Sequence, residues 1–367
     1  MKVIVVGGGV IGLSIAWRAA ARGMDVTVVD PVPGGGATGV AAGMLAPVTE
    51  VHYGEEALLA LNLDSSARYP DFVAELEECS GLRTGYRESG TLSVARDADD
   101  LAALDELVAY QRSLGLEVER LRSRDLRRLE PALAPGVRGG ALVPGDHQVD
   151  PRRLGVALLE AGRRLGVSQC RQRARGVAPG RVSLDSGEVV VGDAVIVAAG
   201  CWSSGLGGMP ADVAAALRPV KGQILRLRGP AGETLAQHNI RGLDAYLVAR
   251  SDGETVVGAT VEERGYDTTV TAGAVHDLLR AALELVPDVA ELALVEHRAG
   301  LRPGSPDNAP LLGPTEVEGV VVATGHYRNG ILLAPATAAA IVELLDTGAV
   351  PASIRAFSPR RFERVAS

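Results

Sequence analysis

The sequence predicts a mixed α/β chain: a largely parallel, doubly wound sheet assembled from separate stretches, with a second, mainly antiparallel sheet inserted into it. Three observations predict this. The opening stretch MKVIVVGGGVIGLSIAWRAAARGMDVTVVD runs from strand to glycine turn to helix to strand. Continuous apolar strands of the buried, parallel kind recur in AVIVAAG in the middle and GVVVATG near the end. Between them lie strands that alternate apolar and polar residues, as antiparallel strands with one covered face do. This pattern assigns residues 1–85, 148–216 and 300–367 to a nucleotide-binding domain, and 86–147 and 217–299 to a substrate-binding domain.

Each element has a local reason. KVIVV is a buried strand, and the glycines from Gly7 to Gly9 turn it into a helix whose apolar positions include Ile11, Ile15 and Ala19 and whose end is marked by Gly23. DVTVVD is the second buried strand. Residues 55–80 and 97–115 have helical amphipathic spacing. A further helix starts with Asp150 as its cap and Pro151 at the first helical position. RVSLDSGEVVVGDAVIVAAG reads as a hairpin and then a buried strand. LRPVKGQILRLRG and AYLVARSDGETVVGATVEE alternate, with RSDGE as a hairpin turn. Residues 272–286 are helical. The Gly- and Pro-rich stretch AGLRPGSPDNAPLLG is expected to be a rigid turn that aims its one arginine, Arg302. GVVVATGHYRNGILLAPATAAAIVELLDTG closes with strand, loop and helix.

Bulk composition excludes several classes. The 367 residues, 47% hydrophobic and 22% charged, suit one large or two ordinary folded domains. A net charge of -8 argues against a nucleic-acid-binding surface. Cys79, Cys170 and Cys201 are scattered, with no CxxC or Cys/His cluster, so neither a disulfide framework nor a metal site is expected, and a cytoplasmic location fits. The apolar start resembles a signal peptide but is broken by glycines and continues into a second strand. No stretch offers about twenty unbroken apolar residues, so no membrane span is expected.

Gly7, Gly9 and Gly12 form GxGxxG in the required setting: strand before, helix after, and a second strand ending in the acidic Asp30. Gly7 permits the turn, Gly9 lets backbone approach a pyrophosphate, and Gly12 allows close packing of the helix. The helix N-terminus then faces phosphate, and Asp30 accepts from ribose hydroxyls. The fingerprint alone leaves NAD and FAD open. The small-residue loop DPVPGGGATGVAAGMLAP, directly after Asp30, suits backbone running along an extended flavin cofactor.

With these motifs in order, and with VIVAAGCWS, RPVKGQ, VVGAT, AGLRPGSPDNAPLLG and GHYRNGILLAPAT, the chain resembles the glycine oxidase branch of the FAD-dependent D-amino-acid oxidase family over nearly its full length. The resemblance implies a Rossmann-type FAD-binding domain with an inserted antiparallel substrate domain. It places Ile11, Gly12 and Asp30 on the FAD diphosphate and ribose, and Thr38, Gly39, Ala42, Gly43 and Met44 along the pyrophosphate and flavin. The backbone near Arg175 would meet the adenine. His326, Tyr327, Arg328, Asn329, Gly330, Ile331 and Leu332 would wrap the flavin ring, largely through backbone. Arg302 would bind the substrate carboxylate with help from Tyr246, and Arg328 would be a further contact. Related glycine oxidases carry a histidine where this chain has Asp244 and a methionine where it has Val261, which puts glycine as the preferred substrate in question. No cysteine follows Cys201, so FAD is expected to be non-covalent.

The implied reaction is oxidation of glycine, sarcosine or small D-amino acids by hydride transfer to flavin, with O2 as acceptor and a role in supplying thiamine thiazole synthesis. The expected partners are a small amino-acid substrate and O2, with a homo-oligomer as the assembly. An arginine fork and a tyrosine hydroxyl suit a carboxylate, and the chemistry needs no dedicated base. The GHYRNG loop is expected to present the N-terminus of the closing helix to the flavin. Lys221 is either an aid to oxygen chemistry or a structural lysine. Three other readings of the same residues remain: a quinone-linked dehydrogenase, a tRNA-modifying flavoprotein, and a flavin-binding protein without catalysis.

Overall fold

The computed structural model describes residues 1–362. Two sheets organise it. The first has six strands in the order Leu311–Pro314, Val320–Thr324, Ala194–Val197, Lys2–Val6, Asp25–Val29 and Ser168–Cys170. Its neighbours are parallel except for the hairpin of the first two. The apolar runs seen in the sequence are its central strands: Val3, Val5, Val195, Ile196, Val197 and Val322 are fully buried. Helices Val10–Ala21 and Ala334–Thr347 pack together on this sheet, as the opening glycine-turn-helix pattern requires.

The second sheet has eight strands: Ala293–Gly304, Arg218–Arg228, Glu254–Gly258, Tyr246–Ala249, Asn239–Arg241, Thr91–Ala95, Gly139–Val143 and Glu119–Arg122. All its pairings are antiparallel except Asn239–Arg241 with Thr91–Ala95. Helices Glu56–Ser80, Ala98–Ser113, Pro151–Arg164 and Ala272–Leu285 lie within a residue or two of their expected limits. Asp150 caps the third of these, accepting from the amides of Arg152 (2.9 Å) and Arg153 (3.2 Å).

Two expectations change. Arg302 is not in a turn: it belongs to the strand Ala293–Gly304 and pairs with Val220, and the turn begins only at Ser305. The long run of the partner strand Arg218–Arg228 supplies a hydrogen-bonding edge that local Gly and Pro content could not reveal. The expected division at residue 300 therefore falls inside a continuous strand, and Arg302 stands on the eight-stranded sheet.

Two arginines, Arg250 buried and Arg152 half-buried, tie the two sheets together. Arg250 donates to Ala42 O (2.7 Å) and Val149 O (3.1 Å), and Arg152 donates to Gly39 O (2.9 Å) while gripping Glu296 with both terminal nitrogens (2.8 and 2.7 Å). These bonds fix the small-residue segment 36–45 against the eight-stranded sheet. The next segment is fixed by Asp146, whose buried carboxyl accepts from Val48 N (3.0 Å), Thr49 N (2.8 Å) and Thr49 Oγ1 (2.5 Å).

Burial pushes the Asp146 carboxyl up to about 6, against the three hydrogen bonds that lower it. A carboxyl whose folded pKa is raised stabilises the fold in its protonated form, and that stabilisation is lost as pH rises through about 6. Thermal unfolding of wild type and Asp146→Asn at acid and neutral pH is expected to show the wild type losing ground to the variant as pH rises. The opposite trend would mean the hydrogen bonds outweigh burial.

Candidate active site

One large cavity, of about 1020 Å³, runs between the sheets. That is the top of the range for small-molecule pockets and leaves room for a cofactor together with a small substrate.

At one end the glycine turn does what its spacing requires. Gly7 has φ +110°, and a Cβ there would lie 2.3 Å from Ala198 O. A Cβ on Gly12 would lie 1.9 Å from Gly7 O, so Gly12 serves helix packing and does not line the cavity. The amide of Val10 donates to Thr38 Oγ1 (2.9 Å), while those of Ile11 and Gly12 carry no hydrogen bond among the described residues. Free amides at the start of a twelve-residue helix form an anion site. Asp30 lines this end, and its carboxylate braces the loop by accepting from Gly8 N and Val32 N, both at 2.7 Å.

Further along, Thr38, Ala42, Gly43 and Met44 line the cavity, and Gly39 sits behind them. Arg173 and Ala174 line the nucleotide end, whereas Arg175 points to solvent and pairs with Asp185 at 2.7 Å. His326 to Ile331 form one wall; Leu332 is buried behind it. The amides of Gly330 and Ile331 and the Nδ2 of buried Asn329 have no protein partner among the described residues, and would be donors for the polar edge of a flavin. Tyr327 holds φ +46°, a left-handed conformation that keeps this wall tight. The closing helix itself does not present its end to the cavity: it begins at Ala334, and its early amides are taken by Ile331 O and Ser65 Oγ. The turn before it carries the free amides. An FAD fits these residues: free amides for phosphates, a cradle without Cβ atoms, and unpaired donors for the ring.

At the other end five strands place a row of side chains on one face. Arg241 stands directly opposite Tyr246, and Tyr246 opposite Gly258. The Tyr246 ring lies over Gly258, where a Cβ would come within 2.3 Å of its hydroxyl oxygen. From the far side Arg302 lays its guanidinium over Gly222, where a Cβ would come within 2.3 Å of Nη1. The two missing side chains let arginine and phenol lean toward each other across the sheet. Arg302 is held by carbonyls of Thr260 (3.1 Å) and Lys221 (3.4 Å) and has no carboxylate partner among the described residues. Burial pushes the Tyr246 phenol up, and Arg302 acts against it, so the hydroxyl stays a donor.

Arg328 is placed differently from Arg302. It pairs with Glu55 (2.5 Å) and Glu50 (3.2 Å), and Glu50 also takes Arg241. Burial alone would raise the Glu50 carboxyl, but Arg241 and Arg328 hold it below the usual range. His326 is buried, donates to or accepts from Thr337 Oγ1 (3.0 Å), and is pushed down to about 3 by desolvation, so it stays neutral. Lys221 faces away from the cavity and pairs with Asp267 (2.9 Å), a structural role. Asp244 and Val261 both line the mouth, Asp244 with its carboxylate on Arg96 (2.8 Å).

Sequence reading did not find Glu50, Arg241, Gly222 or Gly258. The two glycines sit in the motifs RPVKGQ and VVGAT; Gly258 stands opposite Tyr246, and Gly222 is two residues along from Val220, the partner of Arg302. For Glu50 and Arg241 there was no sequence signal, because they meet only through the fold. Among the described residues no cluster of side chains suits a metal, and no single helix is long and apolar enough to cross a membrane.

Comparison with known proteins gives the family. The family model for FAD dependent oxidoreductases, DAO, matches residues 2–344. The glycine oxidase of Geobacillus kaustophilus is 33% identical, covering 98% of this chain and 96% of that protein. The crystal structure of glycine oxidase from that organism superposes with a TM-score of 0.90 at 31% identity, covering 98% of this chain and 99% of that one. The bifunctional protein ThiO/ThiG of Synechocystis is 36% identical over 98% of this chain, which spans only 54% of that longer protein. A glycine turn with free helix amides, an acidic residue at the second strand end and a matching family model over almost the whole length lead to one conclusion: the chain is a member of the DAO family of FAD-dependent oxidoreductases, in the branch that includes the glycine oxidases.

Proposed function

We propose that the chain is an oxidase of glycine and other small amino acids or secondary amines, such as D-alanine or sarcosine, forming an imine that hydrolyses to a keto acid and ammonia, or to a keto acid and methylamine where the substrate is sarcosine. The observation that carries this reading is Arg302, an arginine in the cavity without a carboxylate partner, converging with the Tyr246 hydroxyl over Gly222 and Gly258. A planar fork with free N–H groups beside a hydroxyl donor matches one carboxylate. Similarity to glycine oxidases supports the amino-acid class, and similarity to ThiO/ThiG supports a supply role in thiamine thiazole synthesis.

Arg302 and Tyr246 fix the carboxylate and hence the position of the adjacent carbon. When bound, FAD supplies the hydride acceptor, and its reoxidation by O2 yields hydrogen peroxide. The substrate amine must be neutral to release a hydride. The one histidine on the cavity wall, His326, is held neutral with its Nε2 on Thr337 and does not face the substrate end as a base. The protein therefore acts by orientation, and the amine must enter as the neutral base, its proton left to bulk water.

Oxygen consumption and peroxide release over glycine, sarcosine, and D- and L-amino acids test the reading; bleaching of the flavin by glycine without oxygen uptake would instead indicate a dehydrogenase. Arg302→Ala is expected to lower kcat/KM by about 2–4 kcal/mol of lost anchoring while FAD absorbance is retained. Unchanged kinetics would refute the anchor. Gly222→Ala places a methyl group in the guanidinium's position, so it is expected to reproduce much of that loss with little change in melting temperature, because a long side chain yields more easily than backbone.

A further inference from the structure

We propose that Glu50 is a positioning residue that directs the substrate carboxylate to Arg302 by occupying the competing arginines at that end of the cavity. The inference rests on the amino-acid oxidase reading.

Three arginines line the substrate end: Arg241, Arg302 and Arg328. Any of them could seize a small carboxylate, but only a carboxylate on Arg302 and Tyr246 sits in the row built over the two glycines. Arg241 is the strongest competitor. It stands opposite Tyr246 in the sheet, on the same face, and its single hydrogen bond among the described residues goes from Nη1 to Glu50. That pair cancels the charge that would draw a second carboxylate to it. Without Glu50 it would be a second uncompensated cation one strand from the tyrosine. Arg328 is next. Glu50 lies 3.2 Å from its Nε, and Glu55 takes its Nη2 at 2.5 Å. Glu55 is itself held by Asn308 Nδ2 at 2.8 Å. The pairs leave Arg241 and Arg328 balanced by Glu50 and Glu55, and leave Arg302 alone with only backbone carbonyls.

Glu50 is also preorganised for this task. Its segment is pinned two residues earlier by the three hydrogen bonds into Asp146, and Gln111 Nε2 donates to Val48 O at 3.0 Å. A carboxylate held in place by its backbone competes for Arg241 without losing conformational freedom each time, which an incoming ligand must do.

The test uses holoenzyme and two inert carboxylates, acetate and malonate, with affinity read from perturbation of the flavin absorbance. In the wild type Arg241 is closed to a second carboxylate, so malonate is expected to bind within about threefold of acetate. Malonate binding tenfold or more tighter than acetate in the wild type, about 1.4 kcal/mol, would overturn the proposal without any variant. In Glu50→Gln, malonate is expected to gain about tenfold over acetate. Glycine is expected to show kcat and KM falling together with kcat/KM nearly unchanged, the signature of binding in a non-productive seat. Adding Arg241→Gln to Glu50→Gln should remove both effects, which a general loosening of the segment would not do. Glu50→Gln that leaves the malonate preference and the kcat-to-KM split as in wild type would also overturn it. Failure of glycine to reduce the flavin would sink the oxidase reading instead, and the acetate and malonate comparison would still be readable.

Discussion

The approach of Arg302 to Tyr246 across the eight-stranded sheet is the constraint around which the substrate end is built. Neither side chain reaches the other's strand unless the positions between them are empty. Gly222 and Gly258 supply that emptiness, on two neighbouring strands whose register brings Gly258 opposite Ile224. The strand pairing must then be rigid, because a slip by one residue would send each side chain to the opposite face. The long pairing of Ala293–Gly304 with Arg218–Arg228 and the hydrogen bonds of Arg152 and Arg250 to the cofactor-side segment provide that rigidity.

Charge balance completes the arrangement. Two unit charges about 4 Å apart interact by about 4 kcal/mol at an effective dielectric near 20, enough to decide where a small anion settles. Of the three arginines Arg241, Arg302 and Arg328, the first and last are paired with carboxylates of the protein; among the described residues, Arg302 has no such pair. The same ion pairs join the segment after Met44, the end of the strand Asn239–Arg241 and the turn beside the flavin site. A change at Glu50 is therefore felt on three elements at once.

Much of this was legible in the sequence, for identifiable reasons. The glycine fingerprint, the buried strands and the capped helix at Asp150 are local signals, because turn geometry, apolar runs and capping depend on neighbours in sequence. Arg302 and Tyr246 were found through motif resemblance, and the cavity brings them together. The setting of Arg302 was misjudged: Gly and Pro suggested a turn, whereas pairing with a distant strand made it extended. The backbone near Arg175 was the expected adenine contact; Ala174 faces the cavity and its strand neighbour Arg175 does not, because successive residues of a strand point to opposite faces. Glu50 and Arg241 are 191 residues apart and carry no local signature, so only the folded chain shows that they meet.

The proposed function stands on one arginine–tyrosine pair, Arg302 with Tyr246, seating the substrate carboxylate. A crystal structure of the FAD-loaded protein with acetate tests it most directly. Both acetate oxygens are expected on the Arg302 guanidinium, one of them also accepting from the Tyr246 hydroxyl. Acetate seated instead on Arg241 or Arg328, with Arg302 unengaged, would contradict it.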